Sequence, residues 1–176
     1  MNITYVILRT LDFYVGDKNN IDYDHIQGLI DMYTDGFCLY GNYKTIEQFL
    51  RYGVTVYHYV LTYEGQNSYM EIEYGIENMG VAHGDDLFYL FNYGWVNGTV
   101  EVNDPIDLQV RDTMLSAWTD FATYGDPTPP GKFDDSWTPL KDISYFQYWN
   151  ISGPNPQMDQ SDYIQERMQF WEKTIV

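Results

Sequence analysis

The sequence predicts an α/β class, and three observations carry that reading. Residues 54–63, Val-Thr-Val-Tyr-His-Tyr-Val-Leu-Thr-Tyr, are dense in β-branched and aromatic side chains and close on Glu64-Gly65, a strand followed by a turn signal. A second run of this kind, Ser144 to Ile151, is broken by Gly153-Pro154-Asn155-Pro156. Around both lie segments whose apolar residues recur at three and four, the period of helices that lay one face on a sheet. Strands separated by helices belong to a parallel sheet covered by those helices.

In chain order, residues 5–15 alternate weakly and fit either a helix tail or a strand. From Asp22 to Tyr33, Ile26, Leu29, Ile30 and Tyr33 form a helix stripe that Gly36 ends; Tyr43, Ile46, Phe49 and Leu50 form a second, stopping before Gly53. Beside Asp22, Asp24 and Gln27, His25 reads as part of a solvated helix face. His58, inside the first strand, reads as a hydrogen-bonded core residue or one facing a helix. Residues 64–82 are the connection that delivers His83.

Asp104-Pro105-Ile106-Asp107 is a strong helix start: Asp104 at the cap, proline at the first helical position, and Asp107 where a carboxylate can reach back. Ile106, Val110, Met114, Ala117, Trp118, Phe121 and Ala122 then make a continuous apolar face, up to Gly125. Pro127, Pro129 and Pro130 prevent the helix from resuming. Residues 126–142 form a proline-rich, acidic surface loop pinned by Trp137. The last helix begins near Asp159 or Ser161 and repeats Ile164, Met168, Trp171 and Ile175.

Composition narrows function before any motif does. Twenty-six acidic against nine basic residues give a formal charge of −17, which disfavours phosphate backbones and anionic membranes as partners. Eighteen tyrosines within 18% aromatics are incompatible with disorder. No apolar run is long enough to cross a membrane as a helix. The N-terminal residues lack a basic n-region and a small-residue cleavage site. Asn2-Ile3-Thr4, Asn97-Gly98-Thr99 and Asn150-Ile151-Ser152 nonetheless fit the glycosylation acceptor, a pattern with meaning only in a secretory compartment. A lone cysteine, Cys38, cannot close an internal disulfide and between Phe37 and Leu39 reads as a small buried hydrophobe. No metal-spaced Cys/His cluster or phosphate-cradling glycine loop occurs, so neither a metal nor a cofactor is expected.

The candidate for chemistry is His83, flanked by Ala82 and Gly84 and followed by Asp85-Asp86 and the run Leu87 to Phe91. Small neighbours leave its ring unshielded on a loop. One of the two carboxylates is expected to cap the helix that follows, where it meets free N–H groups and the positive dipole end. Imidazole on such a loop suits proton transfer near neutral pH. In an open α/β sheet, the loop after a strand is also where ligands gather.

Residues 80–91, Gly-Val-Ala-His-Gly-Asp-Asp-Leu-Phe-Tyr-Leu-Phe, resemble the segment that carries the triad histidine in type-B carboxylesterases. Downstream, Trp118-Thr119-Asp120-Phe121-Ala122-Thr123-Tyr124-Gly125-Asp126-Pro127, then Trp137-Thr138-Pro139, then Arg167-Met168-Gln169-Phe170-Trp171 resemble further signposts of that family in the same order. The resemblance implies an α/β-hydrolase and a serine esterase that hydrolyses carboxylic esters, with His83 as general acid and base. It also implies Met79 and Ala82 beside the acyl or alcohol pocket. Family members run Ser, acid, His along the chain. None of the serines at 68, 116, 136, 144, 152 and 161 stands in Gly-x-Ser-x-Gly, and the family's acid lies farther upstream of the histidine than this chain reaches.

Residues 1–176 are therefore expected to be the C-terminal portion of a carboxylesterase domain, with one triad member of three. Its partners would be a small ester and the missing part of the same fold. The resemblance further implies a secreted or extracellular protein, with Asn97 and Asn150 as glycosylation candidates. Cys38 stands where the family has a bridged cysteine, but Met168 and Gln169 occupy the partner's place. Two other classes stand beside this expectation: a non-catalytic, cholinesterase-like adhesion protein, and an acidic, aromatic-rich binding module complete in itself.

Overall fold

The computed structural model describes residues 3–16, 25–77, 79–91, 93–95, 98–133, 136–160 and 162–175. Helices α1 (Ile3–Tyr14), α2 (Ile26–Thr34) and α3 (Tyr40–Arg51) precede strand β1 (Tyr59–Leu61) and helices α4 (Tyr69–Tyr74) and α5 (Leu87–Leu90). Strands β2 (Tyr93–Trp95) and β3 (Gly98–Val100), helix α6 (Pro105–Tyr124), strands β4 (Gln147–Ile151) and β5 (Gln157–Gln160) and helix α7 (Asp162–Ile175) complete the order. Two compact units share these elements. One comprises residues 1–56, 140–146 and 160–176, the other 57–139 and 147–159.

In the second unit the two expected strands pair in parallel, Tyr59 opposite Trp149 and Leu61 opposite Ile151, in a sheet ordered β1-β4-β5. The expected strands are longer than the observed ones, because regular pairing on β1 covers only three residues. The rest of residues 54–63 is held by single bonds: the Trp149 N–H donates to the His58 carbonyl at 2.8 Å, and the Thr62 and Tyr63 N–H groups both reach the Ile151 carbonyl. Helix α6 lays Val110, Met114 and Ala117, all fully buried, into one core with Trp149, Ile151, Tyr89 and Trp137. Trp137 does pin its loop. It stacks on Trp149 at 4.7 Å, donates through Nε1 to the His58 carbonyl at 3.0 Å, and through its N–H to Thr128 Oγ1 at 2.8 Å.

Helix α6 starts as its sequence demands: Asp104 Oδ1 accepts from the Ile106 N–H at 2.7 Å, and the left-handed Gly125 ends it. Its inner face differs from the apolar stripe. Ile106 and Phe121 are exposed, while Asp107 and Asp120 are buried. Asp107 does not reach back to the cap; it turns inward and accepts from Tyr63 Oη at 2.7 Å and the Gln66 N–H at 2.9 Å. Four elements stand outside the sequence reading: α4, the antiparallel strands β2 and β3, and β5.

The first unit is helical, and residues 5–14 of the undecided 5–15 segment lie in α1. Gly36 does not end the first stripe. A π-helical turn, Asp35–Leu39, carries α2 directly into α3, which ends as expected before the left-handed Gly53. Gly36 serves a close approach instead, since a Cβ there would lie 3.2 Å from the Trp171 ring. The wide turn places Asp35 at 0% exposure and leaves Phe37 and Cys38 facing outward, so Cys38 is exposed rather than a buried hydrophobe. Asp35 meets Arg167 of α7: Arg167 Nε donates to Oδ2 at 2.6 Å and Nη2 to Oδ1, and Nη1 lies 3.2 Å from Asp31. Tyr14 Oη also donates to Asp35 and accepts from Trp171 Nε1 at 2.7 Å.

Candidate active site around His83

His83 opens the turn at residues 83–86, on the connection that runs from β1 through α4 to the short helix α5, and it is exposed. The connection from β1 is anchored first. A Cβ on Gly65 would run into Tyr89 Oη and the Asp107 carboxylate, so the chain leaves the strand pressed against α6. Ser68 then caps α4, its Oγ accepting from the Met70 N–H at 3.3 Å, and the left-handed Gly75 ends that helix. The signal for α4 was present: Ser68-Tyr69-Met70-Glu71 has the S-x-x-E spacing of a capping box.

Neither carboxylate after His83 caps α5 as expected. The turn enters the helix through successive i+3 bonds, Leu87 N–H to Gly84 carbonyl and Phe88 N–H to Asp85 carbonyl, which use the donors a cap would have taken. Asp85, 5% exposed, instead accepts from the Ala82 N–H at 2.8 Å and from the Tyr69 N–H at 2.7 Å. Asp86 accepts from Tyr59 Oη at 2.7 Å. Burial first, and then this carboxylate, push the Tyr59 hydroxyl above the ordinary phenol range. The two acids thus bind the His83 turn to α4 and β1.

Met79 lines a hollow of about 120 Å³ with Glu64, Ser68, Glu71, Ile76 and Asp85, whereas Ala82 is not among its lining residues. His58 is remote from proton transfer: 7% exposed, edge-on to Tyr148, and pushed down to about 4 by burial. His25 is half-buried at the start of α2. Asn150 lies in β4, where its Oδ1 accepts from Thr62 Oγ1 at 2.6 Å and its Nδ2 donates to Asp159 at 3.2 Å; Asn97 and Asn2 lie outside the described residues. Among the described residues no cluster of His, Cys, Asp or Glu could hold a metal ion, and no helix is long and apolar enough to cross a membrane.

The sequence profile of the carboxylesterase family matches residues 6–171. Juvenile hormone esterase of Tribolium castaneum is 34% identical over 137 residues, which cover 73% of this chain and 23% of that protein. Venom carboxylesterase-6 of Apis mellifera is 28% identical over 96% of this chain, and Neuroligin-3 of Mus musculus 29% identical over 74% of it. Among solved structures, juvenile hormone esterase from Manduca sexta, with OTFP covalently attached, superimposes with a TM-score of 0.77. That superposition covers 98% of this chain and 32% of the esterase at 20% identity, and it shows the fold, a partial α/β-hydrolase. The chain spans less than a third of the length of each of these relatives. Matched by one profile from its first helix to its last, it belongs to the carboxylesterase family.

Proposed function

We propose that this chain is the C-terminal, histidine-bearing part of a serine carboxylesterase, with His83 as the general acid and base of its triad. The carrying observation is that an exposed imidazole sits on a turn bolted at both sides, on the connection that follows parallel strand β1, in a chain of this family. In the full protein, a serine from outside this chain attacks the ester carbonyl while His83 takes its proton. The imidazolium gives that proton to the leaving alcohol. His83 then activates water against the acyl-enzyme, and the serine is released. The orienting acid also comes from outside this chain, as the Ser, acid, His order of the family implies. Met79 and Ala82 would flank the acyl or alcohol group. Likeness to a venom protein and the sequon at Asn97 support a secreted, glycosylated product.

A second reading, a non-catalytic adhesion or interaction protein, is favoured by the likeness to Neuroligin-3. Sequence upstream of Met1 separates the two: Gly-x-Ser-x-Gly supports the esterase, and its loss supports the adhesion relative. The kinetic test uses the full-length protein and a chromogenic short-chain ester. His83→Ala should lower kcat/KM by about a thousand-fold or more. An inactive wild type, or a variant as active as the wild type, overturns the esterase reading.

A further inference from the structure

We propose that Asp85 is the positioning residue of this site: its buried carboxylate fixes the turn that presents His83 and thereby governs turnover rather than substrate affinity. The inference rests on the reading of His83 as general acid and base. Its geometry is local. Ala82 is bound to Asp85 twice, its N–H donating to Oδ2 at 2.8 Å and its carbonyl accepting from the Asp85 N–H at 3.2 Å. His83 and Gly84 are the two residues enclosed, with Gly84 at φ +95°. One acid therefore closes the turn through both main chain and side chain.

The other oxygen provides the anchor. Oδ1 accepts from the Tyr69 N–H at 2.7 Å, the first donor of α4, while Ser68 Oγ takes the next one at Met70. Asp85 is 5% exposed, and a charged acceptor at that depth holding two backbone donors is short and directional. The imidazole is exposed, so its placement comes from the backbone that carries it. Asparagine would keep the shape but offer one acceptor oxygen and turn an N–H₂ toward one of the two donors. The turn would loosen, and small misplacements of a catalytic group cost rate steeply.

The test is a double-mutant cycle in the full-length enzyme with a chromogenic ester. Asp85→Asn should lower kcat by about 10- to 100-fold with KM changed less than about three-fold. In a His83→Ala background the same substitution should change the residual rate by less than about two-fold, because Asp85 acts only through His83. An equal loss in both backgrounds means a general structural role and overturns the proposal, as does an Asp85→Asn enzyme with wild-type kcat. A His83→Ala enzyme with wild-type activity, or an inactive wild type, overturns the underlying reading and the proposal with it. If Asp85→Asn does not fold, amide exchange in the wild type decides: a protected Ala82 N–H supports the clamp, and an Ala82 N–H exchanging like open loop overturns it.

Discussion

Phenols, and not only cations, satisfy the carboxylates drawn inward in this chain. Acidic residues outnumber basic ones 26 to 9, while 18 tyrosines offer neutral donors. Asp86 accepts from Tyr59 and Asp107 from Tyr63, while Asp35 takes Tyr14 beside Arg167. A phenol satisfies the carboxylate without a second ion to desolvate. Burial, and then Asp107, push Tyr63 up to about 12 from 10.0, so its contribution to stability is complete below pH 10 and is lost as pH rises through 12. Tyr63→Phe should cost about 1–3 kcal/mol at neutral pH, because Asp107 loses one of its donors. It should also flatten the loss of stability on the alkaline side, as read by urea unfolding; an unchanged midpoint and an unchanged alkaline profile would contradict the pairing. His58 carries the opposite sign. Burial holds it neutral, down to about 4 from 6.5, although a backbone hydrogen bond with Gln147 pulls upward. Its contribution is complete above pH 6.5 and disappears as pH falls through 4, a difference of roughly 3 kcal/mol. His58→Gln should remove that acid-side slope in unfolding midpoints measured on both sides of pH 6.5.

The helical stripe Ile26, Leu29, Ile30 and Tyr33 and the strong start at Asp104-Pro105 were legible, because period and caps act locally there. The π-turn was not. A glycine after an apolar stripe reads as a stop, and nothing nearby in sequence says that Gly36 makes room for Trp171 or that Asp35 will meet Arg167, 132 residues away. Asp107 and Asp120 on the inner face of α6 were hidden for the same reason: an apolar pattern cannot register polar positions whose partners are distant or wait in a loop. At the site, the position of His83 followed from its small neighbours. The clamp by Asp85 escaped, although its reach back over three residues has the spacing of a capping box. The π-turn makes a prediction at this scale. Arg167→Met leaves Asp35 buried without its cation and should cost roughly 3–5 kcal/mol, while adding Asp35→Asn should recover much of the loss. A double variant no more stable than the single one, by thermal or urea unfolding, would mean that Arg167 acts through packing alone.

The full protein, expressed through a eukaryotic secretory pathway, should carry glycan at Asn97. Asn150 should stay unmodified once folded, because its Nδ2 is given to Asp159 within the sheet; peptide mass spectrometry reads both sites. Expressed by itself, this 176-residue chain should hydrolyse esters no faster than free imidazole. It holds no Gly-x-Ser-x-Gly, the elbow that would present an attacking serine. Asp85 and Asp86 hold the turn through Ala82, Tyr69 and Tyr59, and the acid that orients His83 would have to come from outside the chain. Oxyanion donors would have to come from outside the chain as well, and losing one alone costs roughly a hundred- to a thousand-fold. The same chain should associate in solution. Strand β1 ends the order β1-β4-β5 with its other edge unpaired among the described residues, and Ile3, Phe37 and Tyr52 are 75%, 81% and 80% exposed. Unpaired edges and open apolar groups are templates for self-association. Purified chain assayed with a chromogenic short-chain ester, beside His83→Ala, together with light scattering, tests both expectations. Turnover well above background that vanishes in the variant would mean that the chain assembles a working site from its own residues, and a monodisperse monomer would mean that the β1 edge and the apolar groups are covered in solution.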